Sequence, residues 1–114
     1  MARIFILEPE PELRELLARV VARLGHEPIQ HVEATSDVEV GDVVIVEPGD
    51  EKAYAGALAI HRRLPEVPIV CVSVYSEVPG DAKALDPVAH VLKPFRLAEV
   101  ERAIETAVER ATSS

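Results

Sequence analysis

Ala89-His90-Val91-Leu92-Lys93-Pro94-Phe95-Arg96-Leu97 is the stretch on which the reading of this chain turns. A short apolar run ends on a lysine, a proline and an aromatic. A helical pattern follows at once, with Leu97, Val100, Ile104, Val108 and Ala111 on one face. A four-residue run of this kind has the length and composition of a strand buried on both faces. Lys93 then stands at the carboxyl end of a buried strand, where a helix begins.

Upstream, the same alternation repeats. Further apolar runs are Arg3 to Leu7, Pro28 to Val32, Val43 to Val46 and Ile69 to Ser73. Between the first two, Leu13, Leu16, Leu17, Val20, Val21 and Leu24 recur at helical spacing. Pro11 suits the first turn of that helix and Gly25 the position just past its end. A second helix spans Glu51 to Leu64, with Ala53, Ala57, Ile60 and Leu64 on one stripe. Two crossovers are thin. Glu33 to Asp42 allows one or two helical turns or an irregular link. Ser76 to Val88 carries Pro79-Gly80 and Pro87, which confines any helix to about Asp81 to Leu85. Buried strands alternating with helices predict an α/β chain: a doubly wound, five-stranded parallel sheet with shortened second and fourth helices.

The sequence has 114 residues, which makes residues 1–114 a single domain. Its 48% apolar content supports a packed core, although only 4% of residues are aromatic. Twelve Lys plus Arg against 20 Asp plus Glu give a net charge of −8, with no basic stripe, so neither nucleic acid nor an anionic membrane is expected as a partner. The longest uncharged stretch, Val67 to Ser76, is too short to span a bilayer. Cys71 is the one cysteine, which excludes an internal disulfide and fits a cytoplasmic location. His26, His31 and His61 are scattered without ligand spacing, so no zinc site is expected. The glycines form neither a phosphate-binding loop nor a dinucleotide fingerprint. Glu8-Pro9-Glu10-Pro11-Glu12 after the first strand is hostile to a flavin phosphate.

In a sheet of this kind, ligands collect outside the carboxyl ends of the strands. The residues there are Glu8, then Glu47-Pro48-Gly49, Ser73, and Lys93-Pro94-Phe95: two carboxylates, a hydroxyl and an ammonium. With Glu10 to Leu17 and Leu24-Gly25-His26-Glu27 around the first helix, and Asp42 to Val46 as the third strand, this constellation resembles the receiver domain of bacterial response regulators, along the whole chain. The resemblance implies a flavodoxin-like sheet in the order 2-1-3-4-5. In that family two adjacent acids after the first strand hold Mg²⁺, an Asp after the third takes the phosphoryl group, a Ser or Thr and a Lys contact it, and an aromatic three residues before the Lys is the switch.

Carried over by position, Glu8 matches the first acid, but Pro9 replaces the second and Glu47 replaces the acceptor Asp. Ser73 and Lys93 match, and His90 stands at the switch. The pattern is that of a pseudo-receiver. Mg²⁺ loses a carboxylate ligand, so no metal or other cofactor is expected. Glu47 sets its carboxylate about 1.5 Å further out than an Asp would, enough to spoil a reaction that depends on positioning.

The expectation is a non-enzymatic, phosphorylation-independent protein-interaction domain in signal transduction. The alternatives are a phosphorylatable receiver with an unusual acceptor, or a small-ligand sensor. Further expectations concern single residues. Lys93 pairs with Glu47, which acts either as a built-in mimic of the phosphoryl group or only as the acid that satisfies the lysine. The resemblance makes Lys93-Pro94 a candidate cis peptide. Ser73 would need a general base to act as a nucleophile, and the sequence places no histidine beside it. His90 is read as an edge histidine or a switch. A protein partner, or a second copy of the chain, is expected on the face of the fourth helix, fifth strand and last helix.

Overall fold

Short runs of β-branched and aliphatic residues pair into one parallel sheet in a computed structural model that describes residues 1–30, 32–74 and 82–113. The strands are β1 (Arg3–Leu7), β2 (Glu27–Ile29), β3 (Val43–Val46), β4 (Ile69–Ser73) and β5 (Ala89–Leu92), in the order β2-β1-β3-β4-β5. The helices are α1 (Pro11–Arg23), α2 (Glu51–Arg63) and α3 (Leu97–Thr112). Leu7 lies opposite Val46, and Ser73 opposite Leu92, so the carboxyl ends of the strands come out level.

The period of two along each strand sorts the core into two layers. Ile4, Ile6, Val43, Ile45, Val70 and Val72 pack against Leu17, Val21, Val100 and Ile104 of α1 and α3. Phe5, Leu7, Val44, Val46, Ile69 and Cys71 face Ala53, Ala57 and Ile60 of α2. The central strands β1, β3 and β4 therefore need apolar residues at nearly every position, which is why the sequence shows continuous runs there rather than alternation.

α1 ends as its sequence requires. The amide of Gly25 bonds to the carbonyl of Ala22 at 3.0 Å and that of His26 to Val21 at 3.1 Å, with Gly25 at φ +89°. This pair of bonds closes the helix only with a left-handed residue between them. Nothing lies within 4 Å of where a Cβ would sit on Gly25. Gly25→Ala is therefore expected to cost about 1 kcal/mol through backbone strain alone, read as a lowered denaturation midpoint with an unchanged slope.

Two readings of the sequence are corrected in detail. The second strand is Glu27–Ile29 rather than 28–32, because its pairing with β1 stops at Phe5–Ile29; His31 lies outside the described residues. The thin crossover after it is a 3-10 segment, Val32–Asp37. Arg3 anchors that link, with Nε and Nη2 donating to the two carboxylate oxygens of Asp42 at 3.1 and 2.7 Å and Nη2 also to the carbonyl of Asp37 at 2.9 Å. In the place of a fourth helix the structure has a 3-10 turn, Ala82–Leu85, while the rest of that expectation, Asp81 and Pro79-Gly80, falls outside the described residues. α2 ends at Arg63, one residue before Leu64, capped at its start by Asp50, whose carboxylate accepts the Ala53 amide at 2.9 Å.

Candidate functional site

The level strand ends bring Glu8, Glu47, Ser73 and Lys93 together, as their sequence positions predict. Glu8 follows β1 directly and is only 2% exposed. Burying a carboxylate is costly unless it is paired and hydrogen-bonded, and here both oxygens are engaged. Oε1 accepts Lys93 Nζ at 2.9 Å, and Oε2 accepts the Glu10 amide at 3.0 Å. Arg14 Nη1 donates to the Glu8 carbonyl at 3.1 Å, which fixes the start of α1 beside it. Lys93 is held from behind by its own amide, which donates to the Ser73 carbonyl at 2.7 Å. The Lys93–Pro94 bond is cis.

Glu47 is placed by β3, its amide donating to the Leu7 carbonyl at 3.0 Å. Its Oε1 stands 3.7 Å from Lys93 Nζ, an ion pair beyond hydrogen-bond length, and Oε2 is buried without a hydrogen-bond partner among the described residues. Lys93 thus lies between both acids, but its closer partner is Glu8, where the sequence put Glu47 forward. The Glu10 amide orients the Glu8 carboxylate toward the lysine, whereas Glu47 reaches it only at 3.7 Å. Burial raises the pKa of Glu47 above the ordinary carboxylate value, Lys93 opposing the shift and Glu8 adding to it. Beneath the site, burial pushes the Cys71 thiol up to about 12, with Glu47 contributing, so it packs as a small apolar group rather than a nucleophile.

The residue that sequence reasoning misplaced is His90. It is half-buried on β5, and its Nε2 lies 2.8 Å from Ser73 Oγ in a hydrogen bond. The expectation that no histidine neighbours Ser73 is therefore wrong. Register supplies the reason: Cys71 is opposite His90, so His90 and Ser73, two residues beyond Cys71, project from the same face of adjacent strands. The pair has the spacing of a nucleophile and base, yet Ser73 has no accessible surface in this arrangement.

The donor set does not fit the Mg²⁺ that the fold family implies. Octahedral Mg²⁺ wants several unencumbered oxygens. Both oxygens of Glu8 are already bonded, Pro9 has no side-chain oxygen, and the ammonium of Lys93 lies between the two acids. Among the described residues, no group of three or more His, Cys, Asp and Glu side chains is arranged to hold a metal ion. Nor is any described helix long and apolar enough to cross a membrane.

Neither protein-family models nor curated protein sequences give a match to this chain. Solved structures do. NtrX from Brucella abortus, in complex with ADP, superposes with a TM-score of 0.80 at 22% identity over 97% of this chain, which spans 27% of that protein. A response regulator from Thermotoga maritima matches with a TM-score of 0.77 at 17% identity, covering 96% of this chain and 98% of its own. TrrA from Thermotoga maritima, in complex with Mg²⁺ and a beryllium fluoride, matches with a TM-score of 0.72 at 23% identity, covering 94% and 99%. At these identities the likeness speaks for architecture. With the sheet order and the level strand ends described above, it establishes that this chain has the flavodoxin-like fold of response-regulator receiver domains.

Proposed function

We propose that this chain is an atypical receiver that acts in signal transduction as a protein-interaction domain without being phosphorylated. The observation that carries this reading is the Glu8–Lys93–Glu47 cluster, with Pro9 at the position of the second acid. The lysine that would contact a phosphoryl group is 2.9 Å from Glu8, the hydroxyl that would do so is bonded to His90, and the acceptor position carries Glu47. Phosphoryl transfer depends on positioning and on charge neutralisation of the transferred group. Each of the three groups that would supply these is otherwise engaged or displaced, and a metal has too few open oxygens. A Glu47 that mimicked a phosphoryl group would bind both Lys93 and Ser73. Instead each has a closer partner, so the reading of Glu47 as an acid that helps balance Lys93 is favoured. A signalling domain of this type works in the cytoplasm, through the face formed by β5 and α3.

Incubation with acetyl phosphate and millimolar Mg²⁺ tests the proposal. No mass gain is expected. A gain of one phosphoryl group that hydroxylamine removes would identify an acyl phosphate and support the alternative, a receiver with an unusual acceptor.

A further inference from the structure

At the end of the sheet opposite the acid cluster, the amino ends of β4 and β5 meet the last turns of α2 and α3 around a cavity of about 120 Å³. It is lined by His61 of α2, by Pro65, Glu66 and Pro68 of the link into β4, by Asp86 before β5 and by Arg110 of α3. The two links are held without the polar side chains among these. The Val67 amide donates to the Leu64 carbonyl at 3.0 Å and the Val88 amide to the Ile69 carbonyl at 2.8 Å, and the two prolines stiffen the first link. The walls are therefore set before anything enters, as is usual for small-molecule sites.

Glu66, Asp86 and Arg110 share this cavity, yet among the described residues none of them forms an ion pair. Asp86 holds φ +47°, a left-handed backbone in which glycine would be under less strain. What aspartate adds at that turn is its carboxylate. His61 adds one group of each kind. Its carbonyl accepts no helical amide, since Pro65, four residues on, has none. Its Nδ1 is buried without a hydrogen-bond partner among the described residues. A buried acceptor left unpaired is tolerated better than an unpaired N–H, so the ring proton belongs on Nε2, as a donor.

Two carboxylates and a carbonyl for a cation, and a guanidinium and an imidazole N–H for an anion, thus surround one small space. Opposite charges placed around a cavity without neutralising each other suit a ligand that carries both. A lone cation would meet Arg110, and a lone anion would meet Glu66 and Asp86, like-charge contacts that select against each. Among the described residues, these acids and the histidine form no group arranged for a metal ion. At about 30 Å³ per water the cavity has the room of roughly four waters, hence of about five or six non-hydrogen atoms. We propose that it binds a small α-amino acid of the size of glycine or alanine. The ammonium lies on Asp86, Glu66 and the His61 carbonyl, and the carboxylate on Arg110 and His61 Nε2. The site is separate from Glu8, Glu47 and Lys93, so the acetyl phosphate test can fail without affecting this proposal, and the reverse.

Titration with L-alanine to about 50 mM, followed by amide NMR shifts, should give saturable changes at Glu66, Asp86, Val88 and Arg110 with a Kd of about 1 mM, a scale open to so few atoms. Asp86→Asn and Arg110→Gln should each weaken binding about tenfold or more. Their Tm should stay close to that of the parent, since neither side chain is paired among the described residues. Asp86→Gly keeps the left-handed turn and removes the carboxylate, so it should lose binding and little stability. Acetate and methylammonium, each with one of the two charges, should bind about tenfold more weakly than alanine or worse. The proposal is overturned by an absence of saturable shifts, by shifts confined to other parts of the chain, or by binding indifferent to Asp86→Gly and Arg110→Gln. Acetate or methylammonium binding as tightly as alanine overturns the assigned ligand, because one charge would then suffice.

Discussion

Glu8→Gln is expected to lower the stability of this domain by about 3 kcal/mol, a fall in Tm of roughly 10 °C for a chain of this size, whereas Glu47→Gln should leave it unchanged or raise it. The two acids sit in one cluster and differ by environment alone. Glu8 is 2% exposed and accepts from both Lys93 and the Glu10 amide. A carboxamide of the same shape offers one acceptor and one donor to two donors, so an N–H faces either the ammonium or the amide, and Lys93 loses its close counter-charge. Glu47 holds a buried Oε2 that meets no donor among the described residues and an Oε1 3.7 Å from the lysine. Replacing its charge removes a desolvation cost and leaves the Glu8–Lys93 bond standing. Thermal melts of both variants at neutral pH check this contrast. Equal losses for the two would mean that Lys93 is shared evenly.

The same environments fix a pH dependence. Burial raises the folded-state pKa of Glu47 above its ordinary 4.5. An acid shifted this way binds its proton more readily in the folded chain than in the unfolded one. Its contribution to stability is then complete below about the unfolded value and declines as pH rises through the folded value. Glu47→Gln has no such proton to lose. The stability of the variant relative to the parent should therefore grow as pH is raised from 4 towards neutrality. A difference that stays flat over that interval would mean that the buried carboxylate carries no net cost.

The sheet was legible from the sequence because its central strands β1, β3 and β4 are buried on both faces and appear as near-continuous apolar runs with the observed ends; β5 kept its ends although it is an edge strand with His90 in its run and Leu92 exposed. β2 was less so. It is an edge strand three residues long, and the apolar residues after Ile29 gave its pattern an extension that the pairing does not have. The candidate site was readable as a set, since four of its residues stand at strand ends that a parallel sheet must bring level. Which of them bond to one another was not. The preference of Lys93 for Glu8 is decided by the Glu10 amide, a backbone group that no pattern of side chains reveals. The Ser73–His90 bond follows from the register between β4 and β5, and a sequence alone sets no register between strands that are not joined by a tight turn.

Supplying the one missing carboxylate and shortening another should install the chemistry. Pro9→Asp combined with Glu47→Asp is expected to give millimolar Mg²⁺ binding and a hydroxylamine-labile phosphoryl group after incubation with acetyl phosphate, from no detectable level in the parent. Pro9 is exposed in a bend between β1 and α1, so an aspartate there is free to turn an oxygen toward Glu8. The shorter side chain at position 47 draws its carboxylate back by about 1.5 Å, opening room for a metal ion and for phosphorus to approach. The carboxylate oxygen then attacks phosphorus, the bond from phosphorus to the acetyl oxygen breaks, and acetate leaves. Neither change suffices alone. Pro9→Asp supplies a ligand but leaves the long arm of Glu47 over the site, and Glu47→Asp clears the space but leaves the metal one carboxylate short. Mg²⁺ must also compete with Lys93 for Glu8, so binding should be weaker than the added charge alone would give. If the double variant binds Mg²⁺ but takes no phosphoryl group, the block lies with Ser73, whose hydroxyl is held by His90 rather than offered to the transferred oxygens. His90→Phe added to the two changes would then release that hydroxyl, and a phosphoryl group appearing only in this triple variant would identify the Ser73–His90 bond as a second, independent lock on the site.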